Sequence, residues 1–329
     1  MIDPADWKPA RLDEGPPLLI VIIDTEEEFP WNEPFSRDNV STRSIAAQAR
    51  AQRIFEKYGI RPTYVIDYPV ASQESGFGPL REYFDAGACQ IGAHLHPWVN
   101  PPFDEPVNNA NSYPGNLPRA LEKAKLEILT DTIGENFGRR PTVYKAGRYG
   151  IGPDTAGILC ELGYRIDASV VPETNFRDED GPDFRRHRAG PHWIGETGLL
   201  EIPLTAGFTG RLAGLGWNGW SWVNTPLGRA LRITAASSRL GILDRIVLTP
   251  EGITTGEHKR LTNRMLGLGH RVFSFTYHSP SLEPGCTPYV TNETELAQFL
   301  DRLDRYFDYF VNELGGRPST PEEVLRAAR

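Results

Sequence analysis

The chain is 329 residues long and carries 43 acidic against 35 basic side chains, a net charge of −8 and a pI near 5.5. That balance excludes a broad polyanion-binding surface, so nucleic acid is not an expected partner, while the length allows one sizeable buried core. Cys89, Cys160 and Cys286 are odd in number and lack a Cys-x-x-Cys spacing, which argues against a disulfide framework or a thiolate zinc site and fits a reducing compartment.

The opening stretch Met1-Ile2-Asp3-Pro4-Ala5-Asp6-Trp7 lacks the basic start and apolar run of a signal peptide. No segment reaches the roughly 18 apolar residues of a membrane span, so a cytoplasmic protein without a transmembrane segment is expected. Leu18 to Asp24, LLIVIID, is apolar almost throughout, as a strand buried on both faces should be. Further strands are expected over Thr63–Asp67, Cys89–Leu95, Thr142–Gly147, Arg165–Val170, Leu199–Thr205, Arg245–Thr249 and Val272–Tyr277, a count that suits a barrel. Helical patterns near Ser41–Tyr58, Leu117–Gly134, Asp154–Leu162 and Glu257–Leu268 return the chain between them, which predicts a parallel α/β architecture.

Leu296, Phe299, Leu303, Phe307, Phe310 and Leu314 share one helical face, and that helix is expected to close or cover the barrel. Thr320-Pro321-Glu322-Glu323 is a capping box that starts a last short helix. Pro101–Pro118 and Arg177–Pro191 look like irregular insertions, where specificity usually resides. The whole chain, 1–329, is expected to be one domain with its core over about 18–280 and covering helices over 292–329.

The chemistry-bearing segment is Gly92-Ala93-His94-Leu95-His96-Pro97-Trp98. Alternate residues of a strand share a face, so His94 and His96 can address one metal ion, and Pro97 ends the strand there. Taken alone, such a pair is also compatible with two solvent-facing histidines on an edge strand. Other polar groups stand at the same ends of predicted strands: Asp24 with Glu26 and Glu27, Arg148, Asp167 with Ser169, and His278. A carboxylate and two imidazoles suit zinc or a similar divalent ion that keeps a position open for water.

Locally, Asp24 reads equally well as a capping carboxylate, and Glu26 to Glu28 as a solvated acidic turn. His187, His192, His258 and His270 have no ligand spacing and are expected at the surface. Arg185, Arg186 and Arg188 read more readily as a solvated loop than as a grip for a phosphate or acidic sugar. Trp217, Trp220 and Trp222 fit either a small hydrophobic cluster or a sugar- or membrane-facing surface.

Taken in order, IIDTEEEF (22–29), IGAHLHPW (91–98), KAGRYGIG (145–152), IDASVVP (166–172) and FTYHSP (275–280) resemble the five motifs of the NodB-homology polysaccharide deacetylases, and within them the WalW-type branch linked to lipopolysaccharide biosynthesis. The resemblance covers about Leu18 to Pro280. It implies a distorted (β/α)7-type barrel, TIM-like with a possible extra strand, that hydrolyses N-acetyl groups of a sugar with a bound divalent metal. By the same resemblance Asp24 is the catalytic base, Arg148 orients it through a salt bridge, Asp167 supports that arginine, and His278 is the general acid.

The family's second aspartate falls on Thr25, so the metal carboxylate must come from Glu26, from Asp24 itself, or not at all. The position of its second ligating histidine is Trp98, so His96 must substitute beside His94. Trp98 and Tyr149 are the expected substrate-binding aromatics. The implied partner is an N-acetylated sugar or sugar precursor. A barrel that binds carbohydrate without catalysis, or one that opens cyclic amides without metal, are the competing readings.

Overall fold

The structure is a computed structural model and describes residues 3–225, 228 and 233–329; Met1 and Ile2 of the opening stretch lie outside them. β1 (Leu18–Thr25) is buried along its whole length because each face meets a different apolar layer. Leu19, Val21 and Ile23 point outward to the layer shared with the helices, whereas Leu18, Ile20 and Ile22 point inward, where they meet Val65, Val143, Ile166, Leu200 and Val272. This period-two division defines an inside and an outside for every strand.

Parallel pairing runs from β9 (Val272–His278) through β1, β2 (Thr63–Ile66), β3 (Gln90–Leu95), β4 (Val143–Ala146) and β5 (Ile166–Asp167) to β6 (Leu200–Glu201). The expected distorted barrel is thus a curled, mostly parallel sheet, and its seam lies between β6 and β9. Single hydrogen bonds bridge that seam: Thr205 N–H donates to the Ser274 carbonyl at 3.2 Å, and Thr276 N–H to the Leu248 carbonyl at 3.1 Å. The strand expected at Arg245–Thr249 does not enter the main sheet. It is β8 (Asp244–Val247), paired antiparallel with β7 (Ala206–Thr209) in a separate ribbon.

Helices cover the outside: α1 (Gln48–Lys57), α2 (Glu74–Asp85), α3 (Arg119–Phe137), α4 (Thr155–Glu161), α5 (Thr255–Gly267) and α6 (Glu293–Asp308), all expected from the sequence except α2. The apolar stripe of α6, with Leu296, Phe299, Leu303 and Phe307, packs into this outer layer. The barrel is plugged instead by α7 (Pro321–Ala327), which opens with the capping box of Thr320 and Glu323 and buries Val324 against Leu18, Ile20 and Val272. No helix among the described residues is long and apolar enough to cross a membrane.

Three of the four histidines expected at the surface are buried: His187, His192 and His258. His258 is held by its Nε2 contact with the Thr249 carbonyl at 2.7 Å, between the rings of Phe275 and Tyr306. Trp217 and Trp220 pack on Phe208, Ala213 and Leu243 as a small cluster, while Trp222 is 79% exposed.

Candidate metal centre and active site

The inward parity of β1 ends on Asp24, that of β3 on His94, that of β4 on Lys145 and that of β9 on His278. Strand register makes them neighbours: His278 is level with Asp24 on adjacent strands, and His94 is level with Lys145. These four side chains therefore crown one end of the barrel, where Asp24, His94 and His278 line a cavity of ≈490 Å³.

After Thr25, whose side chain turns away to donate to the Ile23 carbonyl at 2.9 Å, the chain bends. The Glu26 N–H donates to Ser279 Oγ at 3.1 Å, and the Glu26 carboxylate reaches the histidines. One oxygen, Oε2, lies 3.4 Å from His96 Nε2 and 3.7 Å from His94 Nε2; the other, Oε1, is buried without a hydrogen-bond partner. Each histidine spends its Nδ1 on an acceptor, His94 on the Lys145 carbonyl at 2.9 Å and His96 on Glu27 Oε2 at 2.8 Å. This fixes the tautomer and leaves both Nε2 atoms with a lone pair facing Glu26.

Burial pushes the Glu26 carboxyl up to about 7 and the His96 imidazole down to about 4, and it lowers His94 as well. Two neutral imidazoles and a carboxylate with an unpartnered oxygen fit a divalent ion, zinc foremost by ligand type. Glu27 belongs to the support of this group. It takes Trp98 Nε1–H on Oε1 at 2.8 Å as well as His96, and its own N–H donates to Asp67 at 2.7 Å.

Asp24 makes a different set of contacts. Both its oxygens accept from Lys145 Nζ, at 2.6 and 2.7 Å, and Oδ2 stands 3.9 Å from His278 Nε2. Burial alone raises its pKa, but the charges of Lys145, His94 and His278 outweigh burial and hold it below the ordinary value. His278 shows the converse. Burial disfavours its cation, yet Glu251, Glu26 and Asp24 together raise it to about 10, with Nδ1 donating to Glu251 Oε2 at 2.8 Å. An ionised carboxylate and an imidazolium thus face each other across the cavity floor.

Arg148 does not reach Asp24. It follows β4 in a left-handed turn (φ 53°, with Tyr149 at 58°), a conformation costly for residues other than glycine. From there its guanidinium crosses the Tyr113 ring at 4.1 Å and bonds Asn109, Ser112 and Glu179. The salt bridge expected of Arg148 is made by Lys145, three residues earlier and inside the barrel. Asp167 is displaced for a parity reason: Ile166 points inward, so Asp167 points outward. There it bonds Ser169 and sits beside Glu201, where burial raises both carboxyls, Asp167 to about 6 and Glu201 further; it touches neither Arg148 nor Asp24.

Trp98 is 2% exposed, with its ring stacked on His96 at 4.2 Å and on Phe35 at 4.3 Å. Both ring faces are thus covered by side chains, although Trp98 is among the residues that line the cavity. The open walls are Trp31, Tyr149 and Tyr289, of which Trp31 stands edge-on to His278 at 4.9 Å. Lys145 and Glu251 escaped the sequence reading. The parity of Val143 inward places Lys145 inward too, which is the signal that would have found it.

No family model and no curated protein matches the sequence. Among solved structures, one assigned as a polysaccharide deacetylase from Mycobacterium smegmatis superimposes with a TM-score of 0.55 at 15% identity, over 99% of this chain and 94% of that one. The chain shares the fold of that structure. A branching enzyme from Thermococcus kodakaraensis in complex with glucose follows at a TM-score of 0.50 and 12% identity, over 94% of this chain and 71% of that one. Since unlike activities share this frame, the shared fold positions strand ends, and the function has to be argued from the groups those ends carry.

Removing the charge on Glu251 tests the electrostatics of this floor. Glu251→Gln takes away the largest stabiliser of the His278 cation, so any activity that needs the cation should lose its alkaline limb near pH 10 and acquire one closer to the ordinary histidine value of about 6.5. A pH–rate profile reads this directly, and an unmoved limb would show that His278 is not the group titrating.

Proposed function

We propose that the chain, acting as one domain over residues 1–329, is a metal-dependent hydrolase that removes an N-acetyl group from a carbohydrate or sugar precursor. The observation that carries the reading is the convergence of two imidazole Nε2 atoms and an unpartnered Glu26 oxygen beside Asp24 and His278, whose Oδ2 and Nε2 stand 3.9 Å apart. The shared fold supports it.

Glu26, His94 and His96 would hold the ion, which when bound polarises an amide carbonyl and acidifies water. Asp24, kept ionised by Lys145, accepts the proton of the attacking water. The Nε2–H of His278 then protonates the departing amine, so that acetate and a free amino sugar result. Glu251 holds the imidazolium with that proton directed at the cavity, while Tyr149 and Trp31 exclude water around the sugar. Zinc is the expected ion. The motif resemblance to the WalW-type branch favours a cytoplasmic precursor of a surface polysaccharide or lipopolysaccharide as the acetylated sugar.

The test measures bound metal and amine release together. Wild-type protein should carry about one ion per chain and release amine from N-acetylated sugars, and chelation should abolish release; His94→Ala and His96→Ala should each lose the ion. Hydrolysis that survives chelation sinks the metal reading, and metal-loaded protein that binds acetylated glycans without releasing amine sinks the hydrolase reading. Arg148 is expected to behave as a wall residue. Arg148→Ala should raise KM by roughly tenfold with kcat little changed, whereas a kcat loss at constant KM would return it to the base.

A further inference from the structure

A second cavity, of ≈710 Å³, lies beside the start of β9, between the β7 ribbon, α5 and the 185–192 segment, and shares no lining residue with the first. Arg271, which lines it, immediately precedes β9, and His278 ends that same strand. The seven residues of β9 span about 20 Å, so this is not an extension of the catalytic pocket.

The walls carry five arginines and one carboxylate, Glu173. Arg185 is committed to Asp183 at 2.6 Å, and Arg186 lies 3.6 Å from Asp3. The side chains of Arg188, Arg264 and Arg271 make no hydrogen bond or ion pair with any described residue. Arg264 interacts electrostatically with Glu173, whereas Arg188 and Arg271 have no counter-charge on the wall, and in a chain of net charge −8 the grouping of these guanidiniums is not a consequence of overall composition.

A second observation comes from His187, on the same wall. It is 3% exposed, wedged edge-on against Trp7 and Phe184, and neither ring nitrogen has a partner. A buried polar group without a partner is costly, and a ligand oxygen in the cavity would satisfy it. Leu12, Phe208 and Met265 add an apolar part to the wall, beside His192 and His270, that suits the body of an organic molecule rather than a bare ion.

We infer that this cavity binds a small phosphorylated compound, its phosphate or diphosphate group held by Arg188, Arg264 and Arg271 with a further hydrogen bond from His187. Three cations around one cavity match a dianion or trianion better than a single carboxylate, and guanidinium forks fit phosphate oxygens in pairs. The inference stands independently of the deacetylase reading.

The full chain is titrated calorimetrically at constant ionic strength with inorganic pyrophosphate, with sulfate, and with phosphatidylcholine vesicles containing phosphatidic acid. Pyrophosphate should bind with a micromolar Kd, about tenfold tighter than sulfate. Arg188→Gln/Arg271→Gln, at two exposed positions, should weaken it by at least about tenfold, and His187→Phe should weaken it while the melting temperature is kept. His94→Ala should leave it unchanged, which separates this site from capture by the metal centre. Binding of the vesicles alone, lost in the double arginine variant, would support the site and assign its phosphate to a lipid headgroup. Binding of neither probe, equal binding of sulfate, or indifference to the arginine substitutions would overturn the inference.

Discussion

Asp24→Asn is expected to cut kcat by roughly 10²–10⁴-fold while leaving KM and bound metal nearly unchanged. Asparagine keeps the shape of the side chain and one acceptor for Lys145, so the barrel end should stay assembled. What is lost is the negative charge that receives the proton of water. A second consequence follows from the 3.9 Å separation of Asp24 Oδ2 and His278 Nε2. Asp24 is one of the charges that raise His278, so the alkaline limb should also move down from about 10. The metal assay decides whether Asp24 is a ligand as well as a base. If the ion is retained, Glu26, His94 and His96 suffice; if it is lost, Asp24 belongs to the ligand set. Full activity with the ion in place would remove Asp24 from the mechanism.

The fold was legible because a parallel barrel writes itself as apolar runs separated by helical periods, and β1, with its unbroken LLIVIID, is the clearest of them. The ribbon of β7 and β8 was not legible as such: four residues of Asp244–Val247 read alike in a barrel and in a hairpin. At the site, the inward parity of each strand decides which of the strand-end positions come together. Asp24, His94 and His278 obey it and meet. Asp167 does not obey it, and Arg148 lies past the strand, where a turn rather than the pleat sets direction. Lys145 was hidden because a buried lysine on a strand has no motif value by itself. It becomes visible only once Val143 is known to face inward. Glu251 lies in the segment between β8 and α5, and nothing short of tertiary structure brings it to His278.

Lys145→Met should be the most damaging substitution for stability at neutral pH. Methionine approximates the length of lysine and removes only the charge and the three donors, which now serve both Asp24 oxygens and Thr276 Oγ1. Asp24 is 2% exposed, so the variant leaves an uncompensated buried carboxylate, a change that costs about 3–5 kcal/mol where it has been measured. The sign with pH distinguishes this from simple loss of packing. In the wild type Asp24 titrates below its unfolded value, so its contribution is present above about pH 4 and is lost as pH falls through the lower folded value. Without Lys145, burial dominates and the folded pKa rises above the unfolded one. The carboxylate then destabilises the variant at pH 7, and protonation relieves it on acidification. Urea unfolding at pH 7 and pH 5 should therefore show a gap between wild type and variant that narrows at the lower pH. A packing defect would give the same gap at both. The acid limb of any hydrolysis should move up in parallel, because the base is now protonated at pH values where the wild type is ionised. Lys145→Arg keeps the cation and should keep the acid limb low, whatever its larger head costs in packing. Combining Asp24→Asn with Lys145→Met should recover much of the lost stability, since the orphaned charge is gone, and the coupling in that double-mutant cycle measures the pair itself.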